Sequence, residues 1–263
     1  MSATNDTATV VASYEQRARF ARAEAAAVRR PRLLRGLLRT ASHVAEIPCG
    51  TGHFLTDYAR SETTVTLVDA CPQMLTAALE HAVDASLPAG RTFPTHAYLQ
   101  DLQLLTEVDL VVAPNAAVNQ LACQSSLTDM LAALRRAVSP GVDVLAQVAC
   151  THPGGGVDAS TFYDTARPHR VWFPDHWFDP AQAGGAVLRR RHQHRDGDWL
   201  RVQFDYVDPA GRSMHTTAVE LTLFSAPTLR DAFTAAGFAH VRFLPGHGGL
   251  SEVLATADPG AWR

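Results

Sequence analysis

The sequence has no run of 18 apolar residues, the length that a membrane-spanning helix needs, so no spanning segment is expected. Its opening stretch, MSATNDTATV, lacks a charged region followed by an apolar core, and it reads as a disordered leader and not as a secretory signal. Cysteine is scarce. Cys49, Cys71, Cys123 and Cys150 are widely spaced and form no C-x-x-C pair. That argues against structural zinc or a disulfide framework and fits a reducing, cytoplasmic setting. His192 and His194 share one face of a β-type run, but without nearby acids or cysteines they do not suggest a metal. Charge of either sign is not in excess. A formal net charge of −3 gives no reason to expect nucleic acid as a partner. One basic stretch, RRPRLLRGLLR (29–39), reads as a solvated helix face in preference to an anion or membrane site. No internal repeat or low-complexity segment interrupts the chain.

What is present is a globular composition: 263 residues, 46% hydrophobic and 19% charged. That length buries a sizeable core, as one generous domain or one domain with an inserted lobe. Residues 12–28 and 31–41, rich in Ala, Leu and Arg, predict two helices broken at Pro31. A strand–helix alternation follows. HVAEI (43–47), TVTLVD (64–69), VDLVVA (108–113) and VDVLAQVA (142–149) are short apolar runs, and helices are expected between them over 53–60, 72–82 and 125–138. Such alternation implies a parallel sheet covered on both faces. After residue 149 the pattern changes to a Gly-, Pro- and aromatic-rich stretch. Two β-type runs then flank Asp196-Gly197-Asp198, and a third follows the DPAGR turn, predicting a three-stranded antiparallel meander. The run APTLRDAFTAAGF restores a helix that stops at Gly237, and two more strands close the chain.

The stretch EIPCGTG (46–52) runs from a strand into Gly50-x-Gly52. Glycine there lets a ligand approach the backbone, because no Cβ stands in the way. Asp69 closes the next strand 17 residues after Gly52, where a carboxylate can accept hydrogen bonds from both hydroxyls of a ribose. Capping of the helix that begins at Pro72 explains the same aspartate, and the two roles are compatible.

Together EIPCGTG, LVD and CPQML, in that order, resemble the class I S-adenosylmethionine (SAM)-dependent methyltransferases. VDLVVAPNAAVNQL and LRRAVSPGVDVLAQV are similar to that family's fourth strand and its turn into strand five. The resemblance covers 43–149 and 226–256. It implies a Rossmann-like α/β fold: a seven-stranded sheet with an antiparallel final hairpin, N-terminal helices, and an antiparallel β cap inserted after strand five. The implied division is an N-terminal helical segment (1–42), a SAM-binding core (43–149), a substrate cap (150–225) and the remainder of the core (226–263). Pro48 replaces the first glycine of the family pattern, while Gly50 and Gly52 remain as expected SAM contacts. The resemblance also puts Glu46 near the methionine end, Ala70 and Met74 in the adenosine pocket, Asp101 at the adenine amino group and Leu102 donating beside it. An N-cap role for Asp101 remains open. Asn115 and Asn119 are expected where sulfonium and acceptor meet. Tyr14 resembles a tyrosine that closes over the cofactor in small-molecule N-methyltransferases.

An insertion ending in a meander is similar to small-amine and aminodeoxysugar N-methyltransferases. The segment STFYDTARPHRVWFPDHWFDP (160–180) is dense in aromatics, and Tyr163, Trp172, Phe173 and Trp177 are expected to wall the acceptor pocket. An inward-packing cap would read the same way. His169, His176 and His215 are candidate bases or hydrogen-bond donors, His176 being placed in the catalytic set with Tyr14 and Asn119. Where some relatives carry a histidine after strand four, this chain reads Asn119-Gln120. SAM already carries an activated methyl group, so the absence of an obvious base tilts the reading towards an amine acceptor. Methylation at carbon or oxygen, cyclisation of SAM with release of methylthioadenosine, and a SAM-binding partner subunit stay open, as does homodimer formation.

Overall fold

The computed structural model describes residues 14–15, 17–18, 20–24, 28–157, 162–178, 185–258 and 260. An N-terminal helix takes in the described residues between 14 and 24. The second expected helix shrinks to one turn, α1 (Leu34–Leu37). The amides of Arg32 and Leu33 donate to the Glu252 carboxylate at 2.6 and 3.1 Å, which caps this turn and ties it to the sheet.

Then come β1 (His43–Glu46), α2 (Leu55–Arg60), β2 (Thr64–Asp69), α3 (Pro72–Asp84), β3 (Thr92–His96), β4 (Leu110–Ala113), α4 (Ala117–Leu121), α5 (Leu127–Ala137) and β5 (Asp143–Val148). A short β6 (Cys150–Thr151) leads to β7 (Phe173–Phe178), β8 (Val187–Asp196), β9 (Trp199–Val207) and β10 (Ser213–Thr222). The chain returns through β11 (Phe224–Ser225) and α6 (Ala226–Ala235) to β12 (Phe238–Pro245) and β13 (Ser251–Ala257).

Seven strands form one sheet in the order β12-β13-β5-β4-β1-β2-β3. The five from β5 to β3 are parallel, and β13 joins β5 antiparallel. Side-chain alternation explains why both faces are covered. Val44, Leu110, Val112 and Leu145 enter one apolar cluster, whereas Ala45, Val111, Ala113, Val144 and Ala146 enter the other. The strand β3 was not foreseen, because TFPTH is short and carries Pro94; at the sheet edge a missing N–H costs nothing.

A second sheet is antiparallel, in the order β10-β9-β8-β7, with β8 and β9 joined by the tight turn at Gly197-Asp198. The expectation of three strands is corrected to four. The extra strand is β7, built from FPDHWF, whose Pro174 and aromatics had masked a β-strand. Its inner face packs on the N-terminal helix through a third cluster that includes Phe20, Ala23, Val202, Phe204 and Tyr206.

Asn119 ties this sheet to the core. Its Nδ2 donates to Ala149 O (2.9 Å) and Thr222 O (2.8 Å), and its Oδ1 accepts from Ala149 N (2.8 Å). The residue is fully buried. Asn119→Ala strands those groups without partners, and a stability loss of about 2–3 kcal/mol in denaturant unfolding is expected.

Candidate functional site

The site is built at the carboxyl edge of the parallel strands. Ile47 N still donates to Val112 O (2.9 Å), continuing β1, and the peptide bond that follows, Ile47–Pro48, is cis. The chain then turns through Gly50 (φ +52°) and Gly52 (φ +78°), conformations that favour glycine. Gly52 is also needed for packing, since a Cβ there would lie 2.4 Å from Leu55 Cδ1. Asp69 binds the loop to the next helix: Oδ2 accepts from Gly50 N (2.8 Å) and Oδ1 from Cys71 N (2.9 Å). Burial raises the Asp69 carboxyl, the two amide hydrogen bonds pull it back, and the balance leaves it at about 6.

A cavity of about 240 Å³ opens beside this loop. Gly50, Asp69, Ala70 and Met74 line it, as do residues 97–100 that follow β3. Asp101 and Leu102 do not. The turn of 3-10 helix at Leu99–Asp101 sends the Asp101 side chain to solvent, and Leu102 packs on the core. Glu46 is likewise off the cavity wall. Its carboxylate is fully buried and accepts from His53 N (2.7 Å), His53 Nδ1 (3.1 Å) and Tyr58 Oη (2.7 Å), so it braces the loop from behind.

A chain of neutral polar groups crosses the next part of the wall. Tyr14 Oη donates to Gln120 Oε1 (2.9 Å), and Gln120 Nε2 donates to Asn115 O (3.1 Å). Asn115 N donates to Gln147 Oε1 (3.0 Å), and Gln147 Nε2 donates to Arg29 O (2.9 Å). Tyr14, Asn115, Gln120, Gln147 and Arg29 all line the cavity, whereas Asn119 is spent on the contacts described above. One residue along the helix decides the matter: Gln120 faces the cavity that Asn119 was expected to face.

The far wall comes from the N-terminal helix and the four-stranded sheet. Tyr14, Arg17, Ala21 and Glu24 lie at helical spacing along one face, opposite Arg189, Phe204 and Val219. Glu24 joins the two elements. Its Oε2 accepts from Arg17 Nε (2.8 Å), and its Oε1 accepts from Arg189 Nη1 (2.6 Å) and Tyr206 Oη (2.5 Å). Arg189 also pairs with Asp175 (2.6 Å) and lies over the Phe204 ring at 4.5 Å. Burial alone would raise the Glu24 carboxyl; the Arg17 and Arg189 guanidiniums and the hydrogen bonds from Tyr206 and Arg189 bring it down to about 2. Arg17, Glu24 and Arg189 escaped the sequence reading, although the 14-17-21-24 spacing carried the signal for the first two. His247 and Leu250, from the turn between β12 and β13, complete the rim with Phe162.

The residues expected to form an aromatic wall lie away from this cavity. Tyr163, His169, Trp172, Phe173, His176, Trp177 and His215 do not line the cavity. Trp177 and His176 stand on the outer edge strand β7, Trp177 being 60% exposed. Phe173 is buried beneath the Arg167 and Arg191 guanidiniums, and Trp172 lies beside Arg190 and His192. Tyr163 meets His169 edge-on at 6.5 Å. His215 stacks on Tyr206 and Phe20, in the packing of the cap against the helix.

Comparison with known proteins agrees with this geometry. Residues 44–141 match a methyltransferase domain family. Over that region the chain is similar to the class I S-adenosylmethionine-dependent methyltransferases. It is 29% identical over 232 residues to the dTDP-3-amino-3,6-dideoxy-alpha-D-glucopyranose N,N-dimethyltransferase of Streptomyces fradiae, covering 84% of this chain and 78% of the relative. It is 27% identical to the dTDP-3-amino-3,4,6-trideoxy-alpha-D-glucopyranose N,N-dimethyltransferase of Streptomyces venezuelae, covering 81% of this chain and 82% of the relative. In fold it is similar to the SAM-bound amino pentose methyltransferase of calicheamicin biosynthesis from Micromonospora echinaspora, with a TM-score of 0.62 at 22% identity over 93% of this chain and 92% of the other.

SAM is the cofactor, and the cavity fits it: a glycine loop open to a ligand, an acid at the end of β2 and an apolar wall at Met74. Since Trp177 is a surface residue of an edge strand, Trp177→Ala should leave S-adenosylhomocysteine affinity and acceptor KM within about twofold of wild type in calorimetry and steady-state assays.

Proposed function

We propose that this enzyme transfers methyl groups from SAM to the amine of a small sugar-like acceptor. The observation that carries the proposal is the similarity to two aminosugar N,N-dimethyltransferases, which spans more than four-fifths of the chain and includes the cap as well as the loop region. SAM supplies a methyl group already activated on a sulfonium. What the protein must add is an amine with a free lone pair, aligned at about 3 Å and screened from water.

The wall chemistry supports that division of labour. The Tyr14 hydroxyl proton is committed to Gln120 and the Arg17 guanidinium sits beside the oxygen, which leaves one lone pair to accept an N–H of the acceptor and aim the nitrogen. Burial raises the Tyr14 phenol, which keeps it neutral in that role. Glu24 is saturated by two guanidiniums and a phenol and takes no proton. The amine therefore sheds its proton to solvent, and His247, an exposed residue lining the cavity, can relay it. Phe162, Phe204, Val219 and Leu250 exclude water from the remaining wall. A monomethylated amine keeps a lone pair, so a second transfer uses the same geometry.

At the nucleoside end, Asp69 receives the ribose hydroxyls, and Ala70, Met74 and the backbone of 97–100 hold the base. Only the ionised carboxylate can accept from Gly50 N, Cys71 N and the ribose together; protonation replaces an acceptor with a donor. Affinity for S-adenosylhomocysteine should therefore fall as pH drops through about 6 in wild type. Asp69→Asn should flatten that dependence and cost about 1–3 kcal/mol at neutral pH in calorimetry.

Acceptor chemistry is tested by incubating the enzyme with SAM and dTDP-3-amino-3,6-dideoxy-alpha-D-glucopyranose, the substrate in one relative's name. Mass spectrometry should find mono- and dimethylated sugar with S-adenosylhomocysteine. Release of methylthioadenosine in its place would overturn methyl transfer, and an unmodified sugar would reject the aminosugar class.

A further inference from the structure

The amino-acid end of SAM carries a carboxylate, and a carboxylate leaving water needs charged or N–H donors. Glu46, once expected at that end, cannot serve: it is an anion itself, fully buried and saturated by His53 and Tyr58. The chain contains no lysine, so a fixed cation at the cavity has to be an arginine. Among the described residues three arginines line the wall: Arg17, Arg29 and Arg189. Arg17 and Arg189 are committed to Glu24, and Arg189 to Asp175 as well. Arg29 alone of the three makes no side-chain hydrogen bond or ion pair among the described residues.

The backbone of Arg29 is nonetheless fixed from both sides. Its carbonyl accepts from Gln147 Nε2 (2.9 Å), which joins it to β5 and to the Asn115 turn. The next residue, Arg30, pairs with Asp57 (2.6 Å) in the first turn of α2, the helix that follows the glycine loop. Two residues further, the Arg32 and Leu33 amides are held by Glu252. The segment is therefore tied to the start of α2, and Thr51 and His53, just before that helix, also line the cavity. The basic stretch 29–39 is not uniformly a solvated face: its first arginine, Arg29, is among the residues that line the cofactor cavity, and its guanidinium has no partner among the described residues.

We propose that Arg29 is the counter-ion of the SAM carboxylate, binding it through the planar, two-pronged N–H face of the guanidinium. This rests on SAM as cofactor and is independent of the acceptor. It makes the basic stretch a cofactor-binding element and gives the cofactor pocket an ionic anchor at the end opposite Asp69. Arg29 reaches solvent as well as the cavity, so the pair is partly screened and its strength falls with added salt.

The test uses two cofactor products on the intact chain. S-adenosylhomocysteine has the carboxylate, whereas methylthioadenosine shares the adenosine and sulfur and lacks the amino acid. In calorimetry, Arg29→Gln should weaken S-adenosylhomocysteine about tenfold and leave methylthioadenosine within about twofold; Arg29→Lys should recover part of the loss. Raising salt should weaken S-adenosylhomocysteine for wild type more than for Arg29→Gln. Unchanged S-adenosylhomocysteine affinity in Arg29→Gln overturns the proposal. So does an equal loss for both ligands, which would report a damaged pocket. A wild-type protein that binds neither ligand would instead remove the cofactor reading beneath it, whereas failure to methylate a chosen sugar leaves this result untouched.

Discussion

The site depends on one carboxylate that faces two ways. Asp69 holds the glycine loop with one oxygen and the start of α3 with the other, so two separate pieces of backbone converge on a single side chain. A parallel sheet covered on both faces leaves unpaired polar backbone only at its ends, and the carboxyl end is where loops can gather. Ionisation at that point is opposed by burial and sustained by the two amides. Loop order is therefore tied to the charge on this one side chain.

The second organising element is the ionic joint at Glu24. Burying charges is expensive, and a buried pair seldom adds net stability over well-packed apolar groups. Its value here is geometric. The N-terminal helix has to present Tyr14 and Arg17 at defined positions against a sheet whose inner face is largely aromatic. Apolar packing of Phe20 on Tyr206, at a ring separation of 4.4 Å, tolerates sliding; two guanidiniums and a phenol on one carboxylate do not. The helix is registered by charge and held by apolar area.

Much of the fold was legible because its signals are periodic. Thr64–Asp69 and Asp143–Val148 are apolar runs with turn residues at both ends, and the hairpin at residue 197 declares itself by its Asp-Gly turn. The glycine loop and Asp69 were legible by spacing. What failed was direction. Asn119 and Gln120 are neighbours about 100° apart around a helix, and sequence alone did not say which faces inward. Asp101 was misplaced by a single 3-10 turn. Composition was a partial guide at residues 160–180, where Phe162 lines the cavity while Trp172, Phe173 and Trp177 pack on or flank the edge strand. The glutamate that joins helix to cap was hidden because its partners, Arg189 and Tyr206, lie more than 160 residues away in the chain.

The short pairing of β6 with β11 places Cys150 beside Phe224 and Thr151 beside Ser225, so the chain leaves the core and re-enters it at adjacent points. Asn119 grips both crossings at once. A segment whose ends meet in this way can lengthen at little entropic cost, because closure entropy grows only with the logarithm of loop length. The four-stranded sheet is thus mechanically an appendix on a closed base, free to vary in size and surface while the core register stays fixed. Changes of length within the cap therefore leave the pairing of the core strands in place.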